Sequence, residues 1–395
     1  MERLDTFGKI LKESNLQQLK ENAARIVDFN ALTRSSLGEG KKMTKKGISK
    51  IILILTICLI FSGCKDTTDG ENGSDTLPLE NWTVIKDSTF NFNGIAYGNG
   101  KFVAYDVYNN LAYSSDGITW TQVETSPFSD DFMSSIHGIT YGSGKFVAIG
   151  FGKIAYSPDG ITWTLVENPP FNRGEAITYG NGLFMAQGLD QTTNRWKGVT
   201  VYSSDGINWT QGVNTVFDDG TGSVSGITYG GGKFIMAGDS GKILFTGAPG
   251  RMAYSSDGKI WSPIAQSVFL DTIDPYDHAG DISDIAYGGG TFVITGYSGK
   301  VGYSLDGITW TQTEVSLFDG SEVSSSPVLY APKIAYGGGY FVIVGAKGKI
   351  FYSFNGRSWI AAKGSDFYGF DRIAYGNGKF VAVGLLGIAY SGNLE

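Results

Sequence analysis

Residues 136–165 read IHGITYGSGKFVAIGFGKIAYSPDGITWTL, and this stretch decides the fold. It contains four short runs rich in Ile, Val, Phe, Tyr and Thr, residues that suit a pleated, half-buried surface. Ser143-Gly144 separates the first two runs, a pair that tolerates the positive φ of a two-residue hairpin turn. Between the third and fourth lies Ser157-Pro-Asp159-Gly160-x-x-Trp163. An Asp in such a turn accepts backbone N–H groups, and a Trp buries about 150–250 Å² when it packs.

The unit returns along the chain. Its tyrosine recurs at Tyr97, Tyr141, Tyr179, Tyr229, Tyr287, Tyr336 and Tyr375, each time followed by Gly-x-Gly-x-Phe. The second turn recurs with Asp116, Asp159, Asp205, Asp257 and Asp306, and with Asn355 in the sixth copy. Four-stranded units of about 40–50 residues, repeated four to eight times, make a β-propeller. The seventh copy stops at Ser391-Gly-Asn-Leu-Glu395, after its third strand. The repeat region opens instead with Glu80-Asn81-Trp82-Thr83-Val84, a fourth strand with nothing before it. The expectation is an all-β fold: a seven-bladed β-propeller of four-stranded blades, its ring closed by the N-terminal strand completing the last blade.

Composition agrees. Gly 57 in 395 residues and only 17% charged residues favour tight turns, and 42% hydrophobic content is ample for a core. A net charge of -7 excludes the basic footprint of a nucleic-acid binder. His137 and His278 have no Cys or His partners at zinc-ligand spacing. The cluster Asp271, Asp274, Asp277 and Asp281 lacks an EF-hand pattern and reads as a solvated acidic loop. No metal and no cofactor is expected.

Ahead of the repeats, residues 51–61 read IILILTICLIF and follow Lys45, Lys46 and Lys50. A bilayer span needs about 20 residues, so this run fits the apolar segment of a secretory signal. The chain then divides into 1–42, an over-long N-terminus or a cytoplasmic segment; 43–63, the signal; 64–78, a polar tether; and 79–395, the propeller. Residues 1–63 hold 11 Lys and Arg against 6 Asp and Glu, so the chain from Cys64 onward carries -12.

Two resemblances extend this reading. Phe61-Ser62-Gly63-Cys64 resembles the end of a bacterial lipoprotein signal, which implies acylation of Cys64 and membrane lipid as a partner. It also implies an exported, membrane-anchored chain, and Lys65 after the cysteine resembles sorting to the outer membrane or cell surface. The Ser-x-Asp-Gly-x-x-Trp turns resemble the Asp-box, or BNR, repeats of sialidase-type propellers, in a unit that also looks kelch-like, across nearly all of 79–395. Each box is one residue shorter than the familiar one. Asp-boxes sit away from active sites in that family, so Asp116, Asp159, Asp205, Asp257, Asp306 and Asn355 read as structural.

Connection lengths locate the expected binding face. The first-to-second and third-to-fourth turns are constant and share one face of the disc, whereas the second-to-third and blade-to-blade connections vary and share the other. Insertions gathered on one face of a repeat array usually mark its binding face. The long connections span 188–198, 238–251, 269–281 and 318–333. They nominate Asp190, Arg195, Trp196, Arg251, Asp274, Tyr276 and His278 as ligand-binding residues. Trp196 stands outside the repeat register, and a planar aromatic beside Asp and Arg suits sugar stacking or a protein hot spot. The expected function is therefore a lipid-anchored binding module for a glycan or a protein. A sialidase-like glycoside hydrolase and a scaffold subunit of an envelope complex are the alternatives. The hydrolase resemblance implies three arginines gripping a carboxylate. Of Arg173, Arg195, Arg251, Arg357 and Arg372, none lies in the arginine-isoleucine-proline motif of that family, and no catalytic residue is assigned.

Overall fold

The computed structural model describes residues 79–85, 90–129, 135–193, 195–213, 216–217, 223–238, 251–265, 268–269, 281–296, 299–313, 317, 331–345, 348–363, 369–384 and 387–394. Cys64, the signal and the tether fall outside them, as do Asp274, Tyr276 and His278.

The described residues form seven separate four-stranded antiparallel sheets, six of them built from consecutive strands. The seventh pairs Trp82–Ile85 with Gly387–Ser391, with Trp82 opposite Ser391 and Ile85 opposite Ile388. The N-terminal strand thus supplies the outer edge of the last blade and closes the ring. The two constant turns hold the backbone conformations their sequences anticipate. Ser143 and Gly144 lie at φ 46 and 77, and Gly160 lies at φ 76.

The inner strands Phe92–Gly98, Ile136–Gly142, Arg173–Gly180, Val224–Gly230, Ile282–Gly288, Lys333–Gly337 and Phe370–Gly376 stand side by side around the axis. Their repeated Tyr-Gly explains the close approach. A methyl on Gly98 would sit 2.0 Å from the Tyr141 ring of the next blade, and the same relation runs round to Gly376 and Tyr97. Seven such contacts bring the chain back to its starting blade.

The core lies between blades. Seven apolar clusters occupy the seven seams, and each includes one tryptophan of the repeat, wedged between its own blade and the preceding one. Trp163 of blade two, for example, joins Val103, Tyr105 and Leu111 of blade one. The outer strands are shorter than the sequence runs imply. In blade two the fourth strand is only Thr164–Leu165, because Trp163 leaves the ladder to enter the seam. The aromatic of the blade-to-blade connection serves the same core: Phe128, Phe171, Phe217 and Phe269 are all buried.

Each box turn is tied by the same bonds. In blade one, Ser114 Oγ donates to Asp116 Oδ1 at 2.8 Å, and the N–H groups of Ile118 and Thr119 reach the same oxygen at 2.8 Å. Gly117 N–H donates to Ser114 Oγ at 2.8 Å. The box glycine also lies under the neighbouring blade, where a methyl on Gly160 would meet Val103 at 2.6 Å. The turn therefore serves the seam as well as its own hairpin. Partial burial raises the Asp116 pKa, but the two N–H groups and the hydroxyl outweigh it and hold the carboxyl below its ordinary value. In Asp306 the Thr309 and Ile308 N–H groups dominate and bring it down to about 2.

Candidate functional site

The variable face divides into a projecting hairpin and the mouth of the central channel. In blade three the second-to-third connection, expected as a loop, is a continuation of two strands. Leu183–Thr193 and Arg195–Ser203 stay paired out to Thr193 opposite Arg195, with Asp190 opposite Lys197. Threonines 192 and 193, β-branched, favour this extended form. Asp190, Arg195 and Trp196 therefore sit on a rigid ladder. Trp196 is half-buried and meets Phe151 of blade two edge to face, with centroids 6.4 Å apart at 76°. The contact braces the hairpin on its neighbour. Arg251 is spent locally, with Nη1 donating to Val216 O at 3.0 Å. The structure brings Asp190, Arg195 and Trp196 onto one element and places Arg251 a blade away.

The mouth of the channel is where sequence reading looked least. Four residues before each repeat tyrosine stand Asn93, His137, Glu175, Ser225, Ser283, Pro332 and Asp371, and three before stand Gly94, Gly138, Ala176, Gly226, Asp284, Lys333 and Arg372. These positions break the repeat, so a search for regularity passes over them. They fall where the inner strands begin, beside a ladder irregularity in six blades, such as that between Phe92 and Gly94.

Several of these side chains latch one blade to the next. Glu175 Oε2 accepts the Val224 N–H at 3.1 Å, and Asp284 Oδ2 accepts the Ile334 N–H at 3.0 Å. Asn109 Oδ1, from the connection of blade one, takes the Ile136 N–H at 3.0 Å. His137 Nδ1 lies 2.6 Å from Gly174 O, a contact that requires the Nδ1–H form. Burial lowers the His137 pKa against the pull of the Gly174 carbonyl, and Arg173 and Arg372 add to the lowering.

Lys333 is the most unusual group at the mouth. It is 7% exposed, and its ammonium donates to Ser283 O at 2.5 Å. Burial, helped by Arg372, brings its pKa down to about 7 against the pull of Asp284 and Asp371. Arg372 also acts on Tyr105 of blade one and His137 of blade two, so its charge is felt on blades on both sides of its own. Neither Arg173 nor Arg372 forms an ion pair with a described carboxylate. The mouth is a polar rim whose side chains are held by inter-blade bonds. Among the described residues no three His, Cys, Asp or Glu side chains come together to hold a metal ion.

No family model matches the chain, and no curated protein matches it. Among solved structures the chain is similar to YCF48 bound to D1 peptide, with a TM-score of 0.56 and 15% identity over 82% of this chain and 97% of that one. YCF48 from Cyanidioschyzon merolae gives 0.53 and 13% over 79% and 98%. The extracellular domain of BT4673 from B. thetaiotaomicron gives 0.55 and 9%, where the match spans 79% of this chain and 40% of that one. At these identities the likeness carries the fold, a β-propeller.

Proposed function

We propose that this chain is a lipid-anchored, extracytoplasmic binding module that takes a peptide or protein segment on its variable-connection face. The observation that carries the reading is the one-sided variation: five box aspartates and seven hairpin pairs are constant on one face, and every long connection opens on the other. Arg173 and Arg372 at the mouth, without a carboxylate partner among the described residues, and Asp190 on the hairpin supply polar handles. A fold neighbour solved with a peptide bound makes peptides the first ligand class to test. Anchoring at Cys64 and export rest on the signal in residues 43–64. A glycan is the second reading, supported by Trp196, though its engagement with Phe151 leaves less ring free for stacking.

The test is selection of a random peptide library and a glycan panel, sialosides included, on the immobilised full chain. Peptides retained by the native chain and lost with Arg372→Gln support the proposal. Glycans retained instead, and lost with Trp196→Ala, make the chain a lectin, and shortened glycans in the flow-through make it a hydrolase. If nothing is retained, the binding-module reading is overturned in favour of a scaffold built into a larger complex.

A further inference from the structure

The constant-turn face has a chemistry of its own. Contacts run from turn to turn across it: Asn377 Nδ2 donates to Ser115 O at 3.4 Å, and Lys145 Nζ donates to Asp205 O at 2.7 Å. Six cations stand on these turns, Lys101, Lys145, Lys233 and Lys379 at the hairpins and Lys259 and Arg357 at the boxes. Four of them rest on tyrosine rings, as Arg357 does on Tyr303 with Cζ 4.8 Å from the centroid. Among the described residues the opposing carboxylates are the five box aspartates, whose inner oxygens already receive two N–H groups and a serine hydroxyl each, and Glu80 beside the entering strand, which pairs with Lys363 at 3.0 Å. Residues 79–395 hold 19 Lys and Arg against 28 Asp and Glu, so the acidic excess of the propeller lies off this face.

Apolar side chains project from the same turns. Leu305 is 62% exposed and Phe354 57%, and Ile161, Ile260 and Ile308 join them. Leu305 and Phe354 occupy the variable residue between the box Ser and its Asp or Asn, a place where the turn itself demands nothing apolar. Phe354 packs against Tyr340 of its own blade, the rings tilted at 41° with centroids 4.3 Å apart, which holds the pair at the surface.

The chain also enters the propeller here. Trp82 lies opposite Ser391, the blade-seven counterpart of the box serines, so the strand starts at the constant-turn end of its blade. Only 14 residues, 65–78, separate Cys64 from Leu79, a length that cannot exceed about 50 Å even fully extended.

We infer that the constant-turn face is a lipid-docking surface, on which Leu305 and Phe354 enter an anionic bilayer while the surrounding cations meet its headgroups. Apolar tips within a ring of Lys and Arg are what interfacial membrane binding uses. This inference rests on the anchored reading of Cys64. It adds an orientation, with the variable face directed away from the membrane that carries the anchor.

The experiment uses the full chain, processed in a bacterial host and reconstituted into vesicles of phosphatidylethanolamine and phosphatidylglycerol. An environment-sensitive probe is placed through Ser358→Cys on the constant face or Ser129→Cys on the variable face, both exposed. A nitroxide-labelled lipid should quench the first probe and spare the second. Leu305→Asp with Phe354→Asp should abolish that difference without releasing the chain. The unanchored Cys64→Ser chain should still bind these vesicles, about tenfold more weakly once the aspartates are added. Equal quenching of both probes in an anchored chain overturns the docking surface alone. A Cys64→Ser chain that remains as tightly membrane-bound as the native one, with no lipid on residue 64, overturns the anchor reading instead.

Discussion

The two faces of this disc are made from the same strands and obey different rules. On the constant face every turn repeats the same bonds, because each turn completes a seam: its Asp fixes the bend, its Gly admits the neighbouring blade and its Trp fills the gap. On the variable face the polar groups at the start of each inner strand differ from blade to blade. The seams there are closed by different devices, a Glu on Val224 N–H between blades three and four, and an Asp on Ile334 N–H together with a buried Lys on Ser283 O between blades five and six. Repetition marks what the ring needs seven times, and departure from it marks what a particular place needs once.

Removing the closing strand is the strongest way to break the comparison. Deleting 79–85 leaves Gly387–Ser391 as an unpaired edge and empties a cluster of Leu79 and Trp82. A ring stabilised at every seam has no slack for an open one. The milder Trp82→Ala removes one buried tryptophan and should cost about 3–5 kcal/mol. Thermal melting followed by circular dichroism checks both. A deletion variant that melts where the native chain does would mean the ring is held elsewhere.

Two glycines sharpen what the constant face contributes. Gly144 and Gly160 lie at φ 77 and 76, so each resists a side chain to the same degree by backbone alone. A methyl on Gly144 meets nothing within 4 Å, whereas one on Gly160 lies 2.6 Å from Val103 in the preceding blade. Gly144→Ala should cost about 1 kcal/mol. Gly160→Ala should cost roughly 1–3 kcal/mol more, the overpacking of a seam. Equal losses in urea unfolding would show that the box glycine serves only its own turn.

These contrasts explain what the sequence disclosed. Seven blades, their four strands and the closing strand were legible because the Tyr-Gly, the hairpin pairs and the box turns each answer a local steric demand that recurs. The ladder of blade three was misread as a loop, since Gln191-Thr192-Thr193 has no alternating apolar face to mark it. The mouth was missed for the opposite reason. Lys333, Asp284 and Arg372 are far apart in sequence and meet only because the ring puts adjacent inner strands side by side.

Lys333 tests the variable face through pH. Its pKa is about 7 in the fold against an ordinary 10.5, so the unfolded chain holds a proton that the folded chain loses between these values. Stability must therefore rise with pH across that window, as far as this residue governs it, and the penalty is largest below pH 7. Lys333→Met keeps the volume and removes the buried charge. It should raise stability by about 1–3 kcal/mol at pH 6, and the gain should disappear by pH 10. A destabilised Met variant at pH 6 would mean that the bond to Ser283 O outweighs desolvation.

The smallest expected effect lies back on the constant face, where blade six departs from the rule. Asn355 replaces the box aspartate, and the bond from Ser353 Oγ lengthens to 3.2 Å, against 2.8 Å in blade one. A neutral oxygen receives the Arg357 and Ser358 N–H groups at 2.9 and 3.1 Å, where Asp306 receives its pair at 2.8 and 2.7 Å. Charge-assisted bonds are the stronger ones, so Asn355→Asp should stabilise the fold. The turn is open to water, which screens the gain to a few tenths of a kcal/mol, and at most about 1. The sign with pH follows from the lowered carboxyl of the other boxes. The gain is present above the ordinary carboxylate pKa and is lost as pH falls towards about 2, the value at Asp306. Melting at pH 7 and again below pH 3 separates the charge from the shape of the side chain. A gain that survives acid would mean that the box selects aspartate for its geometry, and that blade six lacks nothing electrostatic.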